Sequence, residues 1–244
     1  LNAPAWPRQV RLGAFSGLLN ADSAKAPDRI AEAINGKDAI LRAVAIAKIA
    51  TLKGDGISSQ FASALPKLPA VAQVMLIDAL AERNDPVARP AIVKAADHSA
   101  AAVRTAAIKA LGRLGDEACA KLLCKRMVDG KTDPEKQAAK SSLRAINAKG
   151  VNAMLIKRMD AADSGLKIEL INILIDRKAA LATETLLAQA SGKDPKVAAA
   201  AFKGLMRIGS PKEMPAILTL LTKLQDDTAK RNAQLAAIAV SRKI

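Results

Sequence analysis

A helix-forming pattern recurs about every 31 residues along this chain of 244, and that period constrains the fold more than any other feature. Its landmarks are Val10-Arg11, Leu41-Arg42, Ala72-Gln73, Val103-Arg104, Ala138-Ala139, Leu166-Lys167, Val197-Ala198 and Lys230-Arg231, spaced by 31, 31, 31, 35, 28, 31 and 33 residues. A unit of that length cannot bury an apolar face alone, so neighbours must stack and complete one another's core, as in a solenoid.

The pattern holds position by position. Five residues after each landmark stand Phe15, Ile46, Ile77, Ile108, Leu143, Ile171, Phe202 and Leu235, and eight after it stand Leu18, Ile49, Leu80, Leu111, Ile146, Leu174, Leu205 and Ile238. Offsets of zero, five and eight share one side of a 3.6-residue helix. Twenty residues after the landmark a second apolar register contains Ile30, Phe61, Ile92, Leu123, Leu186 and Ile217, joined by Leu155 when three residues are removed from the fifth unit. Each unit is therefore expected to be two helices, about seven and a half pairs in all, with repeat starts near residues 7, 38, 69, 100, 134, 163, 194 and 227 of a single domain over residues 1–244.

Helix starts carry the expected chemistry. Asp38, Asp163, Asp194 and Asp227 stand three residues before their landmarks, where a carboxylate accepts the unpaired amides of a first turn, and Pro7 and Pro69 fill the same slot elsewhere. Breaks such as Lys53 to Gly56, Leu114 to Asp116 and Ile208 to Pro211 separate the paired helices. No stretch alternates apolar and polar residues over a strand's length. The longest irregular piece, Val128 to Pro134, coincides with the long 35-residue spacing, and a local change of superhelical twist is expected there.

The stretch Val103 to Asp116, VRTAAIKALGRLGD, resembles the second helix of the HEAT repeat, in the short bacterial variety named for phycobilisome lyases. Val10-Arg11 and Leu41-Arg42 resemble the same dipeptide, whereas Ala72-Gln73, Ala138-Ala139 and Val197-Ala198 depart from it. The likeness runs over roughly residues 5–242. Residues 65–123 also resemble HEAT stretches embedded in large exported bacterial proteins. The resemblance implies an all-α, right-handed α-α superhelix in which the landmark helices line the concave, binding face. It assigns no function, since that superfamily serves many, a few lyases and DNA-repair glycosylases among them.

Catalysis finds little support in the residues. His98 is the single histidine, placed in the expected loop Ala96 to Ser99 as an exposed residue, and tyrosine is absent. No second histidine, cysteine partner or carboxylate cluster stands at ligand spacing, so no catalytic, cofactor or metal residue is assigned and the chain is read as a non-enzyme. Cys119 and Cys124 are expected to pack in the core. The chain has no apolar run of spanning length. It begins at Leu1, with no basic segment leading into an apolar one, and reads as a soluble mature or excised piece, cytoplasmic or exported with its signal removed.

Charge speaks to partners. Lysine and arginine number 38 against 23 acidic residues, a net of +15, and the excess is mostly C-terminal: 16 basic and 11 acidic residues up to Leu122, 22 and 12 after it. Such a field draws nucleic acid, an anionic membrane surface or an acidic protein.

Offsets of two, six, nine and ten from the landmark turn away from the core stripe and are expected on the concave face. They bring the basic residues Lys109, Arg113, Lys140, Arg144, Lys203 and Arg207, the carboxylates Asp78, Glu82 and Asp176, and the apolar residues Leu12, Leu19, Val74, Ile168, Ile175 and Met206. Carboxylates interrupting a basic ladder, and apolar side chains within it, suit a protein or peptide partner better than a phosphate backbone. Three phenylalanines and one tryptophan offer few stacking platforms for single strands. Trp6 is expected in the first turn of the first helix, covering the end of the stack. The expected function is a noncatalytic scaffold or adaptor for a protein or peptide, with nucleic-acid binding by the basic C-terminal half as the alternative and a lyase-like or DNA-repair enzyme as a remote one.

Overall fold

The computed structural model describes residues 6–243. Among these residues no strand occurs, and the regular structure is fifteen α-helices with a few short 3-10 turns. They are α1 (Arg8–Ala21), α2 (Ala26–Asn35), α3 (Ala39–Ile49), α4 (Ile57–Ala64), α5 (Ala70–Arg83), α6 (Arg89–Ala95), α7 (Ala101–Leu114), α8 (Glu117–Asp129), α9 (Asp133–Ala145), α10 (Val151–Arg158), α11 (Ser164–Asp176), α12 (Thr183–Ala190), α13 (Pro195–Ile208), α14 (Met214–Lys223) and α15 (Asp227–Ser241). The eight odd-numbered helices carry the landmarks and the seven even-numbered ones are their partners, which is the expected seven and a half pairs.

Helix ends follow from local chemistry. Asp38 accepts from the amides of Ile40 and Leu41 at 3.0 and 3.1 Å, Asp163 from Leu166 at 2.8 Å, and Asp194 from Lys196 and Val197 at 2.9 and 3.2 Å. The last start differs from expectation: Asp226, not Asp227, caps α15, accepting from the Ala229 amide at 2.7 Å. Prolines occupy the first turns of α2, α6, α13 and α14, where the missing N–H has no helical acceptor to lose.

The core is the apolar stripe read from the sequence. At the fifth offset every residue from Phe15 to Phe202 is buried, at the eighth every residue from Ile49 to Leu205, and at the twentieth all seven named positions. Two helices depart from the pattern. In α15 the buried face is Ala233, Ala236 and Val240, the first two standing two residues before the expected positions, and Leu235 and Ile238 are exposed. In α1 Leu19 is buried instead of Leu18. Trp6 precedes α1 rather than lying in it, and is 55% exposed. Cys119 and Cys124 are buried thiols, and burial pushes Cys124 up to about 11. The irregular piece is shorter than expected, because α8 continues to Asp129 and α9 starts at Asp133, leaving three residues between them.

Contacts divide the chain into two compact units. One runs up to Gly115 and adds Asp129–Ser142; the other is Asp116–Val128 with Leu143 onward. The division falls where the repeat spacing departs from 31. In the first unit α3 packs on α5 and α5 on α7, while α2 and α6 each close against the following landmark helix, α3 and α7. In the second unit α11 packs on α13 and α13 on α15, with α12 and α14 closing in the same way.

Candidate functional site

The outward rows of the landmark helices face solvent as the helical geometry requires. Asp78, Glu82, Lys109, Arg113, Asp176, Lys203 and Arg207 are exposed, and Val74, Lys140, Arg144, Ile168 and Met206 are half-buried. Offset nine, Met206 included, does not belong to that row. Leu19 and Ile175 are buried, and Gly112 at the same offset faces Ser142 of α9, because this position points at the neighbouring landmark helix rather than outward.

Within the first unit, Val74, Asp78, Thr105 and Lys109 come together around a pocket of about 410 Å³ that Thr132 and Pro134 also line. Crowding by its walls raises the Asp78 carboxyl above its ordinary value, and the Lys109 ammonium pulls it back. Apolar walls of Ala102 and Ala106 beside two opposite charges can hold a side chain while its polar neighbours are matched.

Within the second unit, Arg144 Nε donates to Asp176 Oδ2 at 2.7 Å. Both side chains are more than a third exposed, or close to it, so the pair contributes about 0–1 kcal/mol and chiefly orients the guanidinium. Asp176 also lines a pocket of about 280 Å³ with Ile175, Lys178, Arg207 and Ile208. Asp176 is thus paired with Arg144 and lines a pocket with Arg207. Lys203 and Met206 lie on the same helix as Arg207, and Ile168 on that of Asp176.

Some of the polar anchoring is not visible in the repeat pattern. Arg83 and Arg177 occupy the same place in their repeats and make the same bonds. Arg83 Nη1 donates to the carbonyls of Ile49 and Leu52 at 2.9 and 2.5 Å, and its Nε to Ser58 Oγ at 3.1 Å. Arg177 Nη1 donates to Leu143 and Ile146 at 2.9 and 2.6 Å, and its Nε to Asn152 Oδ1 at 2.6 Å. Each guanidinium satisfies carbonyls left open at the end of the preceding landmark helix. Aligning the repeats by landmark places both arginines at offset eleven, a signal that the apolar positions alone do not reveal. His98 also differs from expectation. It is half-buried, and its Nδ1 accepts from the Ala100 amide at 3.0 Å, where α7 begins.

Among the described residues, no group of three or more histidine, cysteine, aspartate or glutamate side chains is placed to hold a metal ion, and no helix is long and apolar enough to cross a membrane.

Comparison with known proteins agrees with the repeat reading. No curated protein matches the chain. Among solved structures, it is similar to the complex of CpcE and CpcF of phycocyanin lyase from Nostoc sp. PCC7120, at 18% identity and TM-score 0.46 over 87% of this chain and 94% of that one. Human deoxyhypusine hydroxylase in complex with glycerol is similar at 15% identity and TM-score 0.43, over 98% and 93%. YibA of Escherichia coli is similar at 16% identity and TM-score 0.49, over 96% and 89%. A family model described as HEAT repeats matches residues 58–144, which include α5, α6 and the Val103 to Asp116 stretch. Residues 58–144 of the chain therefore match HEAT repeats.

Proposed function

We propose that the chain is a noncatalytic scaffold that takes a protein or peptide partner on the outward rows of its landmark helices. The observation that carries this reading is the mixed lining of the pocket at Val74, Asp78 and Lys109, where alanine walls sit beside charges of both signs. A polypeptide supplies apolar and charged groups at that spacing, whereas a phosphate backbone would meet Asp78 as a like charge. The second unit repeats the mixture, with Arg207 beside Asp176 and Ile208.

The test compares the full chain with two variants, Lys109→Glu in the first unit and Lys203→Glu with Arg207→Glu in the second. Arg144 is left intact because its reversal would face Asp176. Partners captured from the source cell by the unaltered chain, and identified by mass spectrometry, are expected to be lost from at least one variant of unchanged helicity. Equal capture by both variants overturns the reading. So does binding of duplex or single-stranded oligonucleotides that is tight at low salt and collapses as salt rises, which would assign the basic excess to nucleic acid.

A further inference from the structure

A second cavity, also of about 410 Å³, opens between α4 and α6 in the first unit, away from the residues proposed for the partner face. Its size is that of a site for a small ligand or one or two amino-acid residues. The walls are apolar, built from Ala62, Leu65, Pro66, Pro90, Ala91 and Ala95. Ser59 and Ser63 also line it, and three further polar residues, Gln73, Lys94 and His98, have specific chemistry.

Lys94 and His98 line the cavity, and no carboxylate does among the described lining residues. The His98 ring is oriented by the Ala100 amide, which donates to Nδ1 at 3.0 Å. In the neutral ring the proton therefore sits on Nε2, a hydrogen-bond donor. Gln73, only 5% exposed, donates its amide nitrogen to the Leu68 carbonyl at 2.9 Å. That bond fixes which way the amide points and leaves its oxygen as the acceptor end. The cavity thus offers a cation and an N–H for an anion, an acceptor for an N–H, and an apolar floor.

We infer that this cavity binds the C-terminal end of a peptide whose last residue is apolar. The carboxylate is met by Lys94 and the His98 Nε2–H, the terminal amide N–H by the Gln73 oxygen, and the side chain by the floor between Ala62 and Ala95. An alkyl acid supplies the anion and the apolar body but no N–H; an internal peptide segment supplies the N–H but no carboxylate. The inference does not depend on the landmark face, since it uses other residues.

Because His98 is the only histidine, its ring signals in the proton–nitrogen spectrum of the full chain report on this cavity alone. The probes are an acetylated tripeptide ending in leucine with a free carboxylate, the same peptide as its carboxamide, and octanoate. Saturable shifts of the His98 ring are expected with the free acid at millimolar concentration. The carboxamide and octanoate are expected to bind at least about tenfold more weakly, the scale of one lost charged or polar contact. Lys94→Gln, at an exposed position, is expected to weaken the acid by a similar factor with unchanged helicity and melting temperature. The inference is overturned by no His98 shift with the acid, by equal binding of acid and carboxamide, by octanoate binding as tightly as the peptide, or by Lys94→Gln leaving affinity unchanged.

Discussion

Arg104 and Glu135, 31 residues apart in sequence, meet inside the first unit with Nη2 of one 2.7 Å from Oε1 of the other. Neither is exposed beyond 5%. The remaining guanidinium donors are not idle: Nε reaches the same carboxylate at 3.1 Å, and Nη1 reaches the carbonyls of His98 and Ser99 at 2.8 and 2.6 Å. Glu135 Oε2 in turn accepts from the Lys131 amide at 3.2 Å. Removing two charges from water is costly, and such a pair persists because the donors and acceptors around it are satisfied.

Removing one partner should therefore be worse than removing both. Glu135→Ala is expected to destabilise by about 3–5 kcal/mol, because it strands a buried guanidinium, whereas Arg104→Met with Glu135→Leu is expected to cost much less. Urea unfolding followed by circular dichroism distinguishes these outcomes. A double variant as unstable as the single one contradicts the account.

The same pair predicts a pH dependence. The hydrogen bond from Arg104 holds the Glu135 carboxyl below its ordinary value of 4.5. A group whose folded value is depressed contributes stability that is fully present above the unfolded value and is lost as pH falls through the folded one. Stability should thus decline from just above pH 4.5 downward, and Glu135→Gln should flatten that decline while lowering stability at pH 7. An unchanged slope in the variant would show that other carboxylates govern acid unfolding.

Arg83 and Arg177 tie the ends of successive landmark helices by matching bonds, so their loss should have matching effects. Replacing either with alanine is expected to cost about 1–3 kcal/mol, since carbonyls that the guanidinium satisfied are left to find water. Lysine should restore only a minor part, because one ammonium cannot span the three acceptors. Full rescue by lysine, read as the urea midpoint, would refute the geometric argument.

Two helical glycines should respond differently to alanine. A Cβ on Gly112 would lie 2.9 Å from both Cα and Cβ of Ser142, so the backbones of α7 and α9 would have to part. Overpacking of that kind costs about 1–3 kcal/mol and outweighs the gain of about 1 kcal/mol in helix propensity. A Cβ on Gly204 would meet the Leu186 methyls at 2.8 and 3.2 Å, and a side-chain tip can rotate away. Melting temperatures should fall for Gly112→Ala and stay near the original for Gly204→Ala.

Lys178 follows α11 with φ of 53°, in the left-handed region that glycine enters without strain. Lys178→Gly is expected to stabilise by about 0.5–1 kcal/mol, the relief of left-handed strain outweighing the flexibility gained by the unfolded chain. Thermal unfolding checks the sign, and a lower midpoint would locate the advantage of lysine in its side chain.

The stripe from Phe15 to Phe202 and the second register from Ile30 to Ile217 could be read directly, because burial at a fixed helical offset leaves the same residue type in every unit. The aspartate caps were legible for the same local reason. Where a single residue of register decides the outcome, as with Asp226 in α15 or Leu19 in α1, the pattern tolerates either choice and only packing selects one. The outward rows at offsets six and ten were legible as directions, since solvent exposure follows from helix geometry, whereas offset nine, expected outward with Leu19 and Ile175, turned toward the neighbouring helix.

What the amino-acid order determined by itself is the hairpin repeat: apolar spacing, helix starts and breaks are all encoded within about 31 residues, and a helix needs no distant partner to choose its inward face. Tertiary structure alone decided which polar groups meet. Arg104 finds Glu135, Arg83 finds the carbonyls of Ile49 and Leu52, and Arg177 finds carbonyls of α9 and the residue after it, because those distances depend on how hairpins stack and no local rule carries that information.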